Sequence, residues 1–584
     1  MKPARSLAGA VLLALALPTA ALAAAPFDFP LQFPSATTQH SLPSALRPAL
    51  ERAIVADPDA VWLETKILAA DGQADDLFGF RVLVAGDTAF VSAPAPIYRP
   101  GKVYVFENSG GGWTATQTIS ATPTSAPPPG WSDFFGWSLS LSGDTLLVGA
   151  PFMLDPMAGP IGAVYAFTND GGTWTQTQEL TASDAAATDY FGWSVKHVGD
   201  TAVVGSNSHN RGANGTEGAA YVFTRSGGTW TQTQELEGSD STPGDGRQFG
   251  SAIAFDGTTL LIGAPSSDWN STGVYIPGAV YVFANSGGTW AETERLVPGD
   301  SADGDQFGYS VALDGANAVI GAPAANIGKN SHQGAIYAFD GSSGSWTELV
   351  KLVADDGVAY DQLGQSVAID GDMALAGSWS HNDDPEGTPP PPKPGVAYLY
   401  TASHGTWNFS TKFTASDGSD GDSFGWDVAI DGTTLVVGSQ GTVGGNEFQG
   451  AAYIYAPGEP PVADVAPTSL DFSLASGASG TATLSISNRG GSALDYTIFE
   501  GGEDCSASAD IPWLAEAPES GTVASGASQD VTVTASADGL DPGSYAALVC
   551  VTTNDPDHGL IGVPASLTVT ADDTIFVDGF DGAP

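Results

Sequence analysis

A two-residue phrase, Phe-Gly in six copies and Leu-Gly in one, recurs seven times along the chain. Successive glycines of these pairs lie 56 to 61 residues apart, so the repeating unit is nearly constant in length. The pairs are Phe78-Gly79, Phe135-Gly136, Phe191-Gly192, Phe249-Gly250, Phe307-Gly308, Leu363-Gly364 and Phe424-Gly425. A repeat of this size is typical of folds in which each unit buries a face against the next one. The chain therefore has to fold as seven similar units.

Each unit contains four segments with the alternating pattern of β-strands. The first two are joined by Gly-Asp or Asp-Gly, which supply the positive φ angles that tight hairpins need. The fourth begins with a tryptophan, which we interpret as packing between neighbouring units, at Trp62, Trp113, Trp174, Trp230, Trp290, Trp346 and Trp407. Four antiparallel strands repeated seven times predict an all-β fold, a seven-bladed β-propeller over residues 61–456.

The repeat begins and ends out of phase with a whole unit. Residues 61–68 read as a fourth-type strand, whereas residues 450–455 read as a third-type strand. The last blade therefore lacks its outer strand unless the N-terminal strand supplies it, which would also remove exposed sheet edges. We predict that Trp62 packs in the blade that follows Phe424.

The second strand of most units ends in Gly-Ala-Pro or a close relative, as at residues 149–151, 263–265 and 321–323. Phe-Gly followed by Gly-Ala-Pro resembles the FG-GAP repeat of the integrin α-subunit propeller, and particularly its secreted bacterial variant. Blades three, six and seven depart from the pattern, because Gly-Ser replaces Gly-Ala there. The resemblance implies the propeller fold and leaves the ligand open, since one fold hosts many functions.

The composition excludes one class of partner and supports the fold class. Lys and Arg total 18 against 66 Asp and Glu, a formal net charge of −48, so we expect no nucleic-acid partner. The chain contains 74 Gly and 39 Pro and only 14% charged residues, which indicates a turn-rich β protein. Hydrophobic residues make up 42% of the chain, which is too many for a disordered acidic segment.

Residues 1–24 have the layout of a secretory signal peptide. Lys2 and Arg5 precede an apolar run that ends in the small-residue pattern Ala21-Leu22-Ala23. Residues 25–60 form an N-terminal segment before the propeller. No later stretch approaches the ~20 apolar residues that a spanning helix needs. We expect a Sec-exported protein, secreted or at the cell surface, in the periplasm, on the outer surface or outside the cell, without a transmembrane segment.

A second domain follows the propeller. A Pro-rich linker at 457–462 leads into residues 463–570, whose regular short strands predict an immunoglobulin-like β-sandwich. The stretches at 487–491 and 553–556 resemble the BACON-type immunoglobulin-like domain, which implies a spacer or a glycan-associated module. Residues 571–584 form a tail.

The chain has two cysteines, Cys505 and Cys550, and both fall in the second domain. In an oxidising compartment we expect them to form one disulfide.

The loops between the fourth strand of one unit and the first strand of the next are acidic. Carboxylates and backbone carbonyls on short Gly-containing loops suit Ca²⁺, which takes six to eight oxygen ligands. The resemblance to integrin-type propellers implies the same ion. The candidate ligands are Asp184, Asp189, Asp240, Asp245, Asp300, Asp303, Asp305, Asp417, Asp420 and Asp422. The alternative is that these aspartates form Asx-turns and keep the surface soluble.

Aromatic residues follow the Phe-Gly pair in several units and predict a ring at the mouth of the central channel. The candidates for ligand binding are Trp137, Trp193, Tyr309 and Trp426, which could instead pack between blades. His209, His332 and His381 lie on three different blades, so we interpret them as isolated surface histidines rather than as one metal site.

These patterns favour a secreted, non-enzymatic protein that binds an extracellular protein or glycan through one variable, acidic face, with Ca²⁺ as the possible ion and no organic cofactor. We find no P-loop or His-Glu-x-x-His motif. One alternative is a carbohydrate-active enzyme or lectin that uses the aromatics at the channel mouth. Another is a purely structural extracellular protein.

Overall fold

The computed structural model describes residues 61–95, 99–109, 112–123, 132–155, 159–210, 216–241, 246–266, 277–380, 394–403, 405–458, 460–502, 504–555 and 557–571. The predicted signal peptide, the segment at 25–60 and the tail beyond residue 571 lie outside these residues. Among the described residues, 64–456 belong to one compact unit, and 457–571 together with 61–63 belong to the other.

The propeller consists of seven four-stranded sheets, of which six are antiparallel meanders and the seventh takes one strand from the start of the repeat region. The chain enters through β1 (Val61–Ile67). Blade one contains β2 (Val82–Ala85), β3 (Thr88–Ala93), β4 (Lys102–Asn108) and β5 (Trp113–Ile119). Blade two contains β6 (Ser138–Ser142), β7 (Thr145–Ala150), β10 (Ala163–Asp170) and β11 (Thr173–Leu180), with the small pair β8 (Leu154–Asp155) and β9 (Gly159–Pro160) in a loop. Blade three contains β12 (Ser194–Val198), β13 (Thr201–Ser206), β14 (Ala219–Ser226) and β15 (Thr229–Leu236).

Blades four to seven repeat the same order. Their strands are β16 (Ala252–Phe255), β17 (Thr259–Ala264), β18 (Ala279–Ser286) and β19 (Thr289–Leu296); β20 (Ser310–Asp314), β21 (Asn317–Ala322), β22 (Ala335–Asp340) and β23 (Thr347–Leu352); β24 (Val367–Asp370), β25 (Met373–Ser378), β26 (Val396–Ser403) and β27 (Thr406–Phe413); and β28 (Val428–Asp431), β29 (Thr434–Ser439) and β30 (Ala451–Gly458).

The N-terminal strand closes the ring. The last sheet has the strand order β1-β30-β29-β28, so the strand that carries Trp62 joins the blade that follows Phe424, as predicted. The all-β seven-bladed propeller expected from the repeat is confirmed.

The repeated aromatic residues form cores between adjacent blades. Phe90 of blade one packs edge-on against Trp174 of blade two, with ring centroids 5.4 Å apart. Phe255 and Trp290, both of blade four, show the same edge contact at 5.4 Å, in a core cluster that also contains Val203 and Leu236 of blade three. These large rings contribute to the apolar cores, together with the aliphatic residues of the same clusters.

The Phe-Gly pair links each blade to the one before it. In blade four, Phe249 packs edge-on against Tyr281, while its backbone forms a parallel bridge to Gly218 of blade three. Gly250 has φ +88, and a Cβ there would approach the Ala219 carbonyl oxygen to 2.4 Å. Glycine is required because both the positive φ and the close backbone approach exclude a side chain.

The second unit is a β-sandwich, which confirms the predicted second domain. One sheet has the order β31-β33-β37-β35 and the other β32-β39-β38-β34-β36. The strands are β31 (Ala463–Ala466), β32 (Leu470–Ala475), β33 (Ser479–Asn488), β34 (Leu494–Gly501), β35 (Leu514–Ala517), β36 (Ser520–Val523), β37 (Ser528–Ser536), β38 (Gly543–Thr553) and β39 (Leu560–Thr570). Cys505 and Cys550 form the expected disulfide.

The described residues contain no helix with the length and apolarity needed to span a membrane.

Candidate functional site

The same three-part contact recurs in five blades, on the side where the fourth strand of one blade leads into the next blade. A tyrosine of the third strand donates its hydroxyl to an aspartate of that loop over 2.6 to 3.1 Å. A basic side chain lies beside the same carboxylate. The sets are Asp71, Tyr104 and Lys102; Asp240, Tyr281 and Arg295; Asp300, Tyr337 and Lys351; Asp356, Tyr398 and Lys412; and Asp417, Tyr453 and Lys66. Each of these carboxylates is therefore neutralised within the fold.

The electrostatics of these contacts follow from their geometry. The Lys66 ammonium lies 2.6 Å from Asp417 and, together with the Tyr453 hydroxyl, holds the pKa of that carboxyl below its usual range. Burial, and then the neighbouring carboxylate, raise the pKa of the Tyr453 hydroxyl. The tyrosines are therefore neutral hydrogen-bond donors.

In three of the loops between blades, a later aspartate holds its own loop together. Asp189, Asp305 and Asp422 are buried, and each accepts a hydrogen bond from the backbone N–H three residues earlier, over 2.7 to 2.9 Å. Burial raises the pKa of Asp305 and of Asp422. These contacts are local side-chain-to-backbone caps, although the bonded N–H precedes the aspartate and so differs from that of an Asx-turn.

The remaining calcium candidates differ in their surroundings. Asp303 and Asp420 are exposed at the tips of their loops. Asp240 lies 3.1 Å from Arg247 and 3.4 Å from Arg295. Asp245 lies outside the described residues. The calcium assignment therefore stays a prediction, with lysine side chains already beside Asp300 and Asp417.

Blade three departs from this arrangement. In the described part of the chain, the one group of three His, Cys, Asp or Glu side chains with ligand atoms within 4.8 Å of one another is Asp184, His209 and Glu235. The His209 Nε2 atom lies 3.9 Å from an Asp184 oxygen and 3.8 Å from a Glu235 oxygen. This acidic and histidine cluster has the donor set to bind a metal ion.

The ring of His209 is held from its other side. Its Nδ1 atom lies 3.1 Å from an oxygen of Asp189 and 3.3 Å from the Tyr221 hydroxyl. The hydrogen bond to Asp189 raises the pKa of His209, and burial opposes that rise. His209 is only 6% exposed, so its interpretation as an isolated surface histidine is wrong. Its loop folds inward, because the His209 carbonyl accepts a hydrogen bond from Gly218 N at 3.0 Å.

The repeat itself contained the signal for Glu235. Glu235 pairs across strands with Tyr221, and the matching partners of Tyr281, Tyr337 and Tyr398 are basic: Arg295, Lys351 and Lys412. An alignment of the units at this position shows a base in blades four, five and six, a threonine in blade one, and an acid in blades two and three, Glu179 and Glu235.

The predicted aromatic mouth exists as a connected arc. Phe80 contacts Trp137 and Trp426, with ring centroids 4.7 Å and 5.9 Å apart, and Trp137 contacts Trp193 at 4.7 Å. These contacts join blades seven, one, two and three, so packing between blades accounts for part of each ring. Tyr309 stands apart, 38% exposed, and its hydroxyl accepts a hydrogen bond from Gln365.

The arc and the first strands of the blades together line a central channel of about 790 Å³. Inside it, Arg81 lies 3.4 Å from the buried Asp427, whose carboxylate also accepts hydrogen bonds from Val82 N and Ser366. Lys196 lines the same channel, and enclosure by protein lowers the pKa of its ammonium. No sequence pattern pointed to this charged lining.

Comparison with protein families identifies both units. A model described as FG-GAP repeat matches seven segments, and a model described as Viral BACON domain matches residues 462–559. The seven segments are 62–106, 113–167, 174–223, 230–283, 290–339, 346–400 and 407–455. No curated protein matches the chain.

Solved structures give only distant likenesses. The GH74 xyloglucanase from Xanthomonas campestris is 14% identical over 73% of this chain and 59% of its own, with a TM-score of 0.34. The ASH/PapD-like domain of human CEP192 is 19% identical over 19% of this chain and 84% of its own, with a TM-score of 0.15. The CsuC–CsuE complex of Acinetobacter baumannii is 9% identical over 19% and 57%, with a TM-score of 0.16.

Proposed function

Because the chain belongs to the FG-GAP repeat family, whose model matches more than half of its residues, we propose that it is a secreted, non-enzymatic binding protein. The propeller presents its variable loop face to an extracellular protein or glycan, and the BACON domain acts as a spacer. A binding role agrees with the two matched modules, and the disulfide between Cys505 and Cys550 is consistent with an oxidising compartment.

The observation that carries the proposal is the aromatic arc at the channel mouth. Trp137, Trp193 and Trp426 are half-buried, so each ring keeps part of its surface available while neighbouring rings hold it in place. Rigid aromatic surfaces that retain a free face are well suited to stacking on sugars or on apolar side chains. Loops on a rigid scaffold are also where binding residues concentrate.

Calcium remains part of the proposal as an ion that orders the loops with three aspartates. Asp303 and Asp420 offer exposed carboxylates beside the buried Asp305 and Asp422. Ca²⁺ would compete there with the lysines that already neutralise the first aspartate of each loop. We therefore expect weak binding, in the range of extracellular calcium modules.

The test is a binding screen of the full secreted chain against a glycan array and a panel of purified extracellular proteins. Any ligand found is then measured against Trp193→Ala, Tyr309→Ala and Trp426→Ala. Phe409→Ala is the matched control, because Phe409 is an aromatic residue that is 54% exposed on the outer strand β27. We expect the mouth variants to lose at least tenfold in affinity and the control to be unchanged.

Three results would overturn this proposal. A ligand whose affinity is the same in all three mouth variants would place binding elsewhere. Conversion of a bound glycan to smaller products, followed by chromatography, would show an enzyme, and the carbohydrate-active alternative would replace ours. A chain that binds nothing in either screen would favour the structural alternative.

A further inference from the structure

We propose that blade three binds a divalent transition-metal ion of the zinc class through His209, Asp184 and Glu235. This is a different ion, in a different kind of site, from the calcium considered for the acidic loops. It does not depend on the ligand of the channel mouth.

The first support is a comparison within the molecule. In blades four to seven, the loop aspartate that corresponds to Asp184 has a lysine or arginine beside it. That base lies on the fourth strand of the blade that the loop leads into. Glu235 occupies that position in blade three, as its pairing with Tyr221 shows. The substitution removes a positive charge and adds a negative one, so the cluster gathers Asp184, Asp189 and Glu235 around a single imidazole. A divalent cation would offset that charge.

The second support is the orientation of His209. The ring is buried, and its Nδ1 faces the buried Asp189 at 3.1 Å. A carboxylate at one ring nitrogen fixes the tautomer and directs the other nitrogen at a metal, an arrangement common among histidine ligands. Here the Nε2 atom is directed at Asp184 and Glu235, and its nearest charged atoms are those two carboxylates at 3.9 and 3.8 Å.

The spacing suits a small ion. Donor atoms around a tetrahedral ion with bonds of about 2.0–2.1 Å lie about 3.3–3.4 Å apart. The His209 nitrogen is about half an ångström farther than that from each carboxylate. Asp184 and Glu235 are exposed side chains and can close this gap by rotating, while the buried His209 stays in place. Three protein ligands leave a fourth position for water.

The donor chemistry selects the ion class. Imidazole nitrogen with carboxylate oxygen suits zinc and its neighbours, whereas Ca²⁺ and Mg²⁺ take oxygen ligands. The competing explanation is that a protonated His209 acts as the cation of this pocket, in place of the lysine found in other blades. Zn²⁺ itself distinguishes the two.

The experiment is calorimetric titration of the full chain, stripped with EDTA, with ZnCl₂ at pH 7.5, together with thermal unfolding in Zn²⁺, Ca²⁺ and Mg²⁺. We expect one Zn²⁺ per chain and a rise in Tm of several degrees with Zn²⁺, because an ion that binds only the native state stabilises it. His209→Gln should lose at least tenfold in Zn²⁺ affinity.

Glu235→Lys is the decisive variant, because it restores the residue type found in blades five to seven. It should fold, keep or raise its Tm in EDTA, and lose the Zn²⁺ response. His332→Gln, which removes an exposed loop histidine on blade five, is the matched control and should bind Zn²⁺ normally. A Ca²⁺ response that survives in His209→Gln and Glu235→Lys belongs to the loops with three aspartates.

The proposal fails if the stripped wild-type chain takes up no Zn²⁺, or if His209→Gln and Glu235→Lys bind it as well as the wild type does. The first result would assign the pocket to a protonated histidine. The second would place Zn²⁺ elsewhere on the acidic surface.

Discussion

Blades three and five share the same backbone pairing but differ in the charge of the side chains beside it. The carbonyl of His209 accepts a hydrogen bond from Gly218 N at 3.0 Å, and the carbonyl of Ala325 accepts the equivalent bond from Gly334 N at 3.0 Å. The corresponding side chains are Asp184 and Asp300, Asp189 and Asp305, His209 and Ala325, Tyr221 and Tyr337, and Glu235 and Lys351. Two of the five pairs differ. In blade five, Lys351 offsets the charge of Asp300, whereas blade three has Glu235 in place of that lysine.

The difference continues into the first strand of each blade. Blade three carries Lys196 and His197 where blade five carries Ala312 and Leu313. The strand pairings are nevertheless the same, because the repeat fixes the backbone through turns and buried apolar residues. Single side chains can therefore change the chemistry of one blade without a change of fold.

The largest expected effect concerns the tryptophan that packs each blade against its neighbour. Trp230 is buried, and the Gln178 side chain bonds both its backbone N–H and its carbonyl. Trp346 is half-buried, and Glu294 only accepts from its N–H. Trp230→Ala should lower the free energy of unfolding by about 3–5 kcal/mol and Trp346→Ala by about 2 kcal/mol, in proportion to the buried area lost.

Urea unfolding followed by far-UV circular dichroism at pH 7 in EDTA measures both losses. Equal losses for Trp230→Ala and Trp346→Ala would show that the two blades pack equally well, and the comparison would then be confined to their polar pockets.

The next effect is a pH dependence specific to blade three. Burial, with Arg225 and Lys196 nearby, lowers the pKa of His197 to about 4, whereas an unfolded histidine titrates near 6.5. Below pH 6.5 the unfolded chain takes up a proton that the folded chain refuses. Wild-type stability should therefore fall by roughly 3 kcal/mol between pH 6.5 and 4 on account of this residue.

His197→Leu introduces the residue of blade five and should remove that part of the pH dependence. The measurement is the difference in urea midpoint between the variant and the wild type at pH 7.5 and at pH 4.5. His332→Gln is the control, because its histidine is exposed. A constant difference across pH would mean that His197 is protonated as readily in the folded chain as in the unfolded one.

The sequence predicted the fold far better than the site. Hairpin turns, alternating burial and the spacing of the Phe-Gly pairs are properties of neighbouring residues, so seven four-stranded sheets and the closing strand β1 followed from pattern alone. Whether a loop carboxylate has a basic partner depends on a residue of another strand. The partner of Asp300, for example, is Lys351, which lies 51 residues later in the chain. Reading each loop alone gave a uniform set of calcium candidates and left Glu235 unnoticed.

The same limit applies to His209. Its place in a loop suggested exposure, but burial depends on how the loop folds back over Tyr221, with ring centroids 6.1 Å apart. Contacts across blades, such as Arg81 with Asp427, join residues 346 positions apart and are set only when the ring closes. The repeat predicts which positions meet, and comparison of the copies then shows which blade differs.

The smallest effect comes from converting blade five toward blade three. Lys351→Glu removes the ammonium 2.8 Å from Asp300 and adds a like charge beside it. The Asp300 side chain is 53% exposed and the Lys351 side chain 24%, so solvent screens the pair, and we expect a loss of only about 1 kcal/mol at low salt, and less at 1 M NaCl, where screening acts over about 3 Å. Lys351→Gln, which removes the attraction without adding repulsion, should lose about half as much. Neither variant should gain a Zn²⁺ site, because Ala325 offers no donor where blade three has His209. Zn²⁺ uptake by Lys351→Glu beyond that of the wild type would show that two carboxylates suffice, and the role given to the histidine would be wrong.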